Sequence, residues 1–221
     1  MVPTWHFYFC VFNISKLWYH IHHREMCMKK FFELFNKNLK TERLELRILT
    51  PTLENAKLVW NVLKNEKASD FQFIHFSPKY DKPLPESLEE TLETMNNYAE
   101  AWKNNGVIWY VFFKKQLIGF HGISYNKEGD SINGGNVWFV KSAWGHGFNR
   151  EIHTFLEKIV FEKLKAHRMV RQCMSINQRS QKSIASSGFK LEGRLREYAK
   201  LSDGTWTDHL IFSKLISEYG K

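Results

Sequence analysis

The spacing of apolar and polar residues predicts the secondary structure from residue 39 onward. Leu44, Leu46 and Ile48 alternate with charged residues, which is the period of a strand with one buried face. Apolar residues at helical spacing follow as far as about residue 65. Thr50 and Pro51 precede them, and we predict that they are the cap and the first residue of this helix.

The middle of the chain predicts a second helix followed by a hairpin. Ser87 with Glu90 is a helix-start signature, and an apolar stripe runs from there to Trp102. Residues 107–113 are almost wholly apolar, which is typical of a strand covered on both faces. A tight connection leads to a further strand at 117–124, so the two strands should pair as a hairpin.

Two stretches without a helix or strand period interrupt this pattern, and the elements around them define the fold class. Residues 68–85 contain three prolines and no period, and the glycine-rich residues 128–135 resemble a turn, so both are predicted to be loops. The remaining predicted elements are strands at 136–140, 168–175, 190–201 and 206–215, an amphipathic helix after Gly147, and a short helix closed by Gly188. We predict an α/β (α+β) domain at 39–221. It would have a mixed, mostly antiparallel central sheet of about seven strands with helices on both faces.

Residues 1–38 are predicted to be an N-terminal extension of this domain. The aromatic stretch at 5–12 is far shorter than the roughly 20 apolar residues that a spanning helix needs. It also lacks the basic start and the cleavage site of a signal peptide. Because Met26 and Met28 follow, our hypothesis is that residues 1–25 are upstream sequence translated in frame, or a poorly ordered extension. The alternative is an arm that binds a membrane surface or a partner.

Composition narrows the class of protein. A chain of 221 residues with 43% hydrophobic residues can bury one full core. The formal charge of +9 suits an anionic partner, yet the sequence has no long basic block, so we expect no direct nucleic-acid binding. The three cysteines form no Cys-x-x-Cys pair, which argues against a disulfide framework and a zinc site. This cysteine usage indicates a reducing compartment, and we expect the cytoplasm.

A glycine turn at residues 144–149 is the strongest candidate for a binding site. It follows the strand that ends at Val140, contains Gly145 and Gly147, and precedes the amphipathic helix. A strand, a glycine turn and a helix in this order direct free backbone N–H groups toward an anion. Glycine also lets the backbone approach a phosphate closely. Taken alone, however, such a turn is more often simply a turn.

Several other segments accompany this turn in a fixed order. They are residues 41–47 with Leu49, Thr50 and Pro51, residues 117–123, the turn at 144–151, Asn177-x-x-Ser180 with Gly188-Phe189, and the hairpin residues 192–209. In this order and spacing they resemble the GNAT acetyltransferase superfamily, and most of all its RimJ/RimL-like N-acetyltransferase branch. The resemblance runs from about Leu39 to Leu215.

The resemblance implies acetyl-CoA as co-substrate and no metal. In the family the pyrophosphate rests on the backbone N–H groups of the glycine turn, which here belong to Trp144, Gly145, His146, Gly147, Phe148 and Asn149. The pantetheine arm would occupy a gap between the strand ending at Val140 and the strand from Arg168, where Asn177 offers its amide. A backbone N–H of Phe139 or Val140 would donate to the thioester oxygen.

The catalytic residues are less clear, because the chain departs from the family pattern. Ile184 stands where many relatives have a tyrosine that protonates the leaving thiolate. We assign that general-acid role to Ser180, and the competing interpretation is an ordinary helix-start serine. His121 lies on the hairpin strand expected to face the substrate and is the second catalytic candidate, although a lone histidine in a strand is more often a packed residue. Asp208 and His209 are strand neighbours that point to opposite faces, so they cannot act as one unit.

The predicted function is transfer of the acetyl group of acetyl-CoA to a primary amine by direct attack, without an acyl-enzyme. The acceptor is a protein N-terminal amine or a small amine, polyamine or antibiotic, and the acids Asp70 and Asp81 hint at a cationic acceptor. The alternative is a GNAT module that binds acetyl-CoA with weak or no catalysis, because neither the tyrosine nor a general base is evident. We expect a monomer or homodimer without a membrane span.

Overall fold

A computed structural model describes residues 14–71, 84–201 and 203–221, with side chains from residue 25 onward. The five α-helices are α1 (Ile14–Phe35), α2 (Leu53–Leu63), α3 (Leu88–Trp102), α4 (Phe148–Lys158) and α5 (Gln178–Ser186). The strands are β1 (Leu39–Lys40), β2 (Leu44–Arg47), β3 (Gly106–Phe113), β4 (Gln116–Asn126), β5 (Ser131–Phe139), β6 (Arg168–Met174), β7 (Lys190–Lys200) and β8 (Trp206–Leu215).

The eight strands form one sheet in the order β1-β2-β3-β4-β5-β6-β8-β7. β5 and β6 run parallel, whereas the six other neighbouring pairs are antiparallel. Helices cover both faces, since Phe120 contacts Tyr98 of α3 while the next residue, His121, contacts His153 of α4. The predicted fold class is therefore confirmed, and the strand beyond the predicted seven is the two-residue β1.

One predicted loop is largely strand. β5 begins at Ser131, so most of the stretch 128–135 pairs with β4 and β6 instead of forming a turn. Gly134 and Gly135 have low strand propensity, but a central position between two strands overrides propensity. Gly134 also fits a close contact, because a Cβ there would lie 3.0 Å from the Cε atom of Met169. Of the other predicted loop, Ala68–Phe71 forms a 3₁₀ turn, and residues 72–83 lie outside the described ranges.

The helix starts follow the capping rules, with one shift in position. Ser87 caps α3 as predicted, and its hydroxyl accepts the Glu90 N–H at 3.1 Å. In α2 the cap is Thr52, whose hydroxyl accepts the Asn55 N–H at 3.2 Å. Thr50 and Pro51 therefore precede the helix, and the predicted cap was two residues early. Two threonines flank the proline, and only the backbone conformation distinguishes them.

The second half of α1 packs into the core. Phe31 and Phe35 are fully buried, and the Phe35 ring lies 6.1 Å from that of Trp109. The Trp109 indole in turn donates to the Lys37 carbonyl at 2.8 Å. The packed body thus begins before the boundary predicted at residue 38. Residues 1–13 lie outside the described ranges, so the hypothesis about residues 1–25 stays a prediction. None of the described helices combines the length and apolar content that a bilayer crossing requires.

Candidate active site

A gap opens in the centre of the sheet. The parallel pairing of β5 with β6 runs from Ser131–Arg168 to Gly134–Arg171 and stops there, although β5 continues to Phe139 and β6 to Met174. The cause is a bulge in β5. Its register with β4 shifts at this point, and Asn136 adopts a left-handed φ of 51°. Because a bulge bends a strand and increases its twist, β5 turns away from β6.

The backbone groups at the edge of this gap distinguish the two predicted thioester-oxygen donors. The N–H of Val140 donates to the Ile118 carbonyl at 2.9 Å, so it belongs to the pairing with β4. Neighbouring residues of a strand direct their backbone groups to opposite sides, so those of Phe139 face the gap. The Phe139 carbonyl accepts the Trp144 indole N–H at 2.8 Å. Of these two N–H groups, that of Phe139 is therefore the one that faces the gap.

The glycine turn leaves the start of α4 without a side-chain cap. Gly145 and Gly147 both adopt left-handed φ values, 81° and 77°, and Gly147 is the N-cap residue. Within the helix the N–H of Glu151 bonds to the Gly147 carbonyl at 3.0 Å. The N–H groups of the preceding residues 148–150 have no intrahelical acceptor, as at every helix start. Together with the helix dipole they favour an anion at this position.

A polar network that sequence reasoning missed holds this turn in place. Glu151 accepts the Thr41 hydroxyl at 2.5 Å, the Arg43 backbone N–H at 2.8 Å and the Arg43 Nε at 2.6 Å. The same guanidinium donates to the His146 carbonyl at 3.2 Å and lies 4.8 Å from the Phe148 ring centroid. Burial alone would raise the pKa of Glu151, but these hydrogen bonds outweigh it and lower the pKa. Glu151 therefore ties the start of α4 to the segment between β1 and β2.

The first turn of α5 forms the opposite wall of the gap. Asn177 is its N-cap, and its side-chain oxygen accepts the Ser180 N–H at 3.0 Å, so the amide NH₂ is the part that remains for a ligand. The Ser180 hydroxyl forms a hydrogen bond with the Cys173 thiol. Burial raises the pKa of this thiol, and the hydrogen bond from Ser180 offsets only part of the increase. The Arg179 guanidinium lies 3.7 Å from the Trp144 ring centroid and so joins the two walls.

These elements enclose a cavity of about 810 Å³, a size typical of small-molecule sites. Eight of the predicted site residues line it: Phe139, Trp144, Gly145, Gly147, Phe148, Asn149, Asn177 and Ser180. The cavity lining does not include Val140, whose N–H bonds to β4, or the exposed His146. The buried Oδ1 atom of Asn149 has no hydrogen-bond partner among the described residues. Among the described residues, no group of three or more histidines, cysteines or acids is arranged to hold a metal ion.

His121 lies beneath the cavity instead of facing a substrate. It is fully buried on the α4 face of the sheet, with its Nε2 atom 3.3 Å from the Nε2 atom of His153, which does line the cavity. Burial, and then the charge of Arg171, lowers the pKa of His121 to about 3 and that of His153 well below its usual range. Both imidazoles are therefore neutral near pH 7, and His121 can reach the cavity only through His153.

This neutral pair predicts a loss of stability in mild acid. Between pH 6.5 and about 3 the unfolded chain protonates His121 while the folded chain does not, so the free energy of unfolding falls as the pH decreases. The expected loss between pH 7 and pH 5 is about 2 kcal/mol for this residue. Urea unfolding at both pH values measures it. In H121N the unfolding free energy should fall less between pH 7 and pH 5 than in the wild-type protein, whereas the exposed control H167N should behave like the wild type. An equal fall in all three proteins would contradict a neutral, buried His121.

Comparison with known proteins agrees with this geometry. Residues 43–190 match the model of the acetyltransferase (GNAT) domain. The N-acetyltransferase YoaA of Bacillus subtilis, whose function is uncharacterised, is 24% identical over 181 residues, which cover 79% of this chain and 94% of YoaA.

Two solved structures share the fold. One is RimL, a ribosomal L7/L12 alpha-N-protein acetyltransferase in complex with coenzyme A, with a TM-score of 0.66, 18% identity, and coverage of 82% of this chain and 99% of RimL. The other is the microcin C7 self-immunity acetyltransferase MccE in complex with acetyl-CoA and AMP, with a TM-score of 0.63, 18% identity, and coverage of 79% and 93%. The family match spans most of the chain and includes the gap, the glycine turn and α5, and the chain therefore belongs to the GNAT acetyltransferase family.

Proposed function

We propose that the protein transfers the acetyl group of acetyl-CoA to a primary amine by direct attack, without an acyl-enzyme. The observation that carries this proposal is the gap between β5 and β6, which opens beside the uncapped start of α4. An anion site and a slot with free strand edges thus adjoin each other. A pyrophosphate followed by an amide-rich arm and a thioester matches this sequence of sites.

The residues around the gap fit such a co-substrate. The N–H groups of Phe148, Asn149 and Arg150 would hold the pyrophosphate at the start of α4. The backbone of Phe139 and the amide of Asn177 would pair with the pantetheine arm from opposite walls. Two proteins with the same fold support this assignment: the solved structure of RimL contains coenzyme A, and that of MccE contains acetyl-CoA.

Acetyl transfer requires three groups from the protein: a donor that polarises the thioester carbonyl, a base and an acid. The Phe139 N–H would polarise the thioester carbonyl by donating to its oxygen, where negative charge develops. The amine nitrogen then attacks the carbonyl carbon, the N–C bond forms, and the C–S bond breaks. The nitrogen loses a proton to a base, and the departing thiolate gains one from an acid.

We assign the base to His209, which sequence reasoning set aside together with its neighbour. His209 pairs with Met174 across β6 and β8, and both residues line the cavity. The Tyr198 ring stacks on the imidazole of His209, with 5.2 Å between the ring centroids and an interplanar angle of 10°. Asp208 points away from this arrangement, because its carboxylate binds the Glu197 N–H at 2.7 Å and the Arg194 side chain. The two neighbours therefore act separately, and His209 alone reaches the cavity.

The acid assigned from the sequence, Ser180, stays a proposal that its position supports. Its hydroxyl lies in the first turn of α5, on the cavity wall and beside the Cys173 thiol. A hydroxyl in that place can protonate the thiolate that leaves along the same wall. The proton is then regained from the solvent that fills the cavity after the product leaves.

Titration with acetyl-CoA followed by a thiol-release assay over a panel of primary amines tests the function. We expect saturable binding and amine-dependent release of coenzyme A, with desulfo-coenzyme A as a binding control that has no acetyl group to transfer. Binding without turnover of any amine would favour the alternative of a catalytically inactive acetyl-CoA-binding module. A protein that fails to bind acetyl-CoA would contradict both functions.

A further inference from the structure

Aromatic side chains build the cavity wall on the α3 face of the sheet. Phe71, Tyr98, Trp102 and Phe120 all line the cavity there, and we call these four residues the aromatic chamber. The rings of Tyr98 and Phe120 are 5.9 Å apart, and the Trp138 ring stacks behind Phe120 at 6.3 Å. Burial raises the pKa of Tyr98, so its hydroxyl stays neutral. The chamber lining is therefore apolar and uncharged. Its accessible ring surface comes mainly from the half-buried Tyr98 and Trp102, because Phe71 and Phe120 are buried.

Two glycines fix the position of Trp102 in this wall. A Cβ on Gly106 would lie 2.4 Å from the Cε3 atom of Trp102, and a Cβ on Gly122 would lie 3.0 Å from its Cη2 atom. The first distance is shorter than real side chains show and the second is unusually tight, so the indole fills the space that these two glycines leave free. The ring therefore rests directly on the backbone of two central strands, which makes this part of the chamber rigid.

The chamber and the proposed base lie on the same face of the sheet. Ser124 pairs with Asn133, and Asn133 pairs with Val170, so these residues share one face. Met174, an even number of residues further along β6, points the same way, and it pairs with His209. The glycine turn and α4 lie on the opposite face, and the gap connects the two sides. An acceptor in the chamber would thus approach the thioester from the side of His209.

The charge of the described cavity lining disfavours one class of acceptor. Among the described residues, three arginines line it, Arg150, Arg171 and Arg179. The one carboxylate in the lining is Asp70, and it is bound to the Lys141 ammonium at 2.8 Å. A polyamine or aminoglycoside brings several ammonium groups, and each needs an anionic partner when it leaves water. The hint of a cationic acceptor from Asp70 therefore weakens, while Asp81 lies outside the described residues.

We infer that the acceptor is a monoamine that carries a planar aromatic group. Its ring would occupy the aromatic chamber, and its nitrogen would lie at the gap beside His209. This inference rests on the proposed acetyl transfer and names its substrate class. Rings prefer offset or edge-to-face contact with other rings, which the chamber offers from several directions. Two sources carry this chemistry, a free arylalkylamine and the aromatic N-terminal residue of a peptide.

A comparison of acceptors tests the inference once acetyl-CoA binding has been measured. The acceptors are phenethylamine, a tetrapeptide amide that begins with phenylalanine, butylamine and spermidine. We expect kcat/KM for at least one aromatic acceptor to exceed that for butylamine and spermidine by about tenfold or more. The better of the two aromatic acceptors identifies the source. Preferential turnover of spermidine or butylamine would overturn the inference while the proposed function stands; absence of acetyl-CoA binding would instead remove the function.

Variants of Trp102 connect the preference to the chamber. W102L should raise KM for the aromatic acceptor about tenfold and leave KM for butylamine and the Kd of acetyl-CoA unchanged. W102F keeps a ring and should lose less. W206L is the matched control, because Trp206 is exposed and does not line the cavity. In the wild-type protein loaded with coenzyme A, calorimetry should show saturable phenethylamine binding that is tighter than that of butylamine. Equal affinities, or an unchanged KM in a folded W102L protein, would refute the aromatic acceptor.

Discussion

G147V should weaken acetyl-CoA binding at least about 100-fold, a loss of about 2.7 kcal/mol of binding free energy. Gly147 adopts a φ of 77°, which a β-branched residue resists strongly. Space itself is not limiting, because the nearest atom to a Cβ there is the Arg43 Nη2 at 3.7 Å. The strain is relieved by a change of φ, and this change rotates the N–H groups of residues 148–150 away from a common anion. Isothermal titration with acetyl-CoA measures the loss.

The matched control for this variant is G204V. Gly204 has a φ of 87°, and apart from its chain neighbours no atom of the described residues lies within 4 Å of its Cβ position, so it carries the same backbone strain in the β7–β8 turn. Both variants should lose about 1–2 kcal/mol of unfolding free energy, yet G204V should keep its affinity for acetyl-CoA. Should G147V bind acetyl-CoA as tightly as G204V does, the pyrophosphate does not lie on this turn.

H209Q is expected to lower kcat/KM by about 10²- to 10⁴-fold, the range that general-base catalysis contributes. The glutamine keeps the size and polarity of the side chain but cannot take a proton. The Kd of acetyl-CoA should stay within about twofold, because the glycine turn and α5 are untouched. The acid limb of the pH dependence of kcat/KM should also disappear, since that limb reports the essential base of the free enzyme.

The control for the second prediction is H167Q. His167 is exposed at the start of β6 and lies outside the cavity, so its replacement should leave both rate and pH profile unchanged. If the H209Q variant folds, binds acetyl-CoA and retains the wild-type pH–rate profile, another group accepts the proton. The Tyr198 ring, which stacks on His209, would then have a packing role only.

Features set by neighbouring residues could be predicted from the sequence. The strand, the two glycines and the amphipathic helix indicated an anion-binding turn, and the structure has left-handed glycines and an uncapped helix there. The short helix predicted before Gly188 is present as α5, and Asn177 caps it. The family and the fold class were predicted correctly for the same reason. Capping and turn conformation involve residues within four positions of one another, so a local pattern records them.

Features that join distant strands could not be predicted in the same way. The network of Arg43 with Glu151 spans 108 positions, and only the approach of the β1–β2 turn to α4 creates it. The sequence placed Asp208 and His209 on opposite faces of one strand, because neighbouring strand residues alternate. No local signal shows which of the two faces borders a cavity. His121 likewise looked suitable for a substrate-facing role, and it lies instead against α4.

The sequence by itself therefore determined the conformation of the turn at residues 144–149, whereas the tertiary structure decided what surrounds it. The left-handed glycines and the free N–H groups follow from covalent geometry and need no distant partner. The gap needs the β5 bulge at Asn136, and the aromatic chamber needs α3 to place Trp102 against two glycines of other strands. Those arrangements depend on register and packing between segments far apart in sequence, where a shift of one residue exchanges the two faces of a strand.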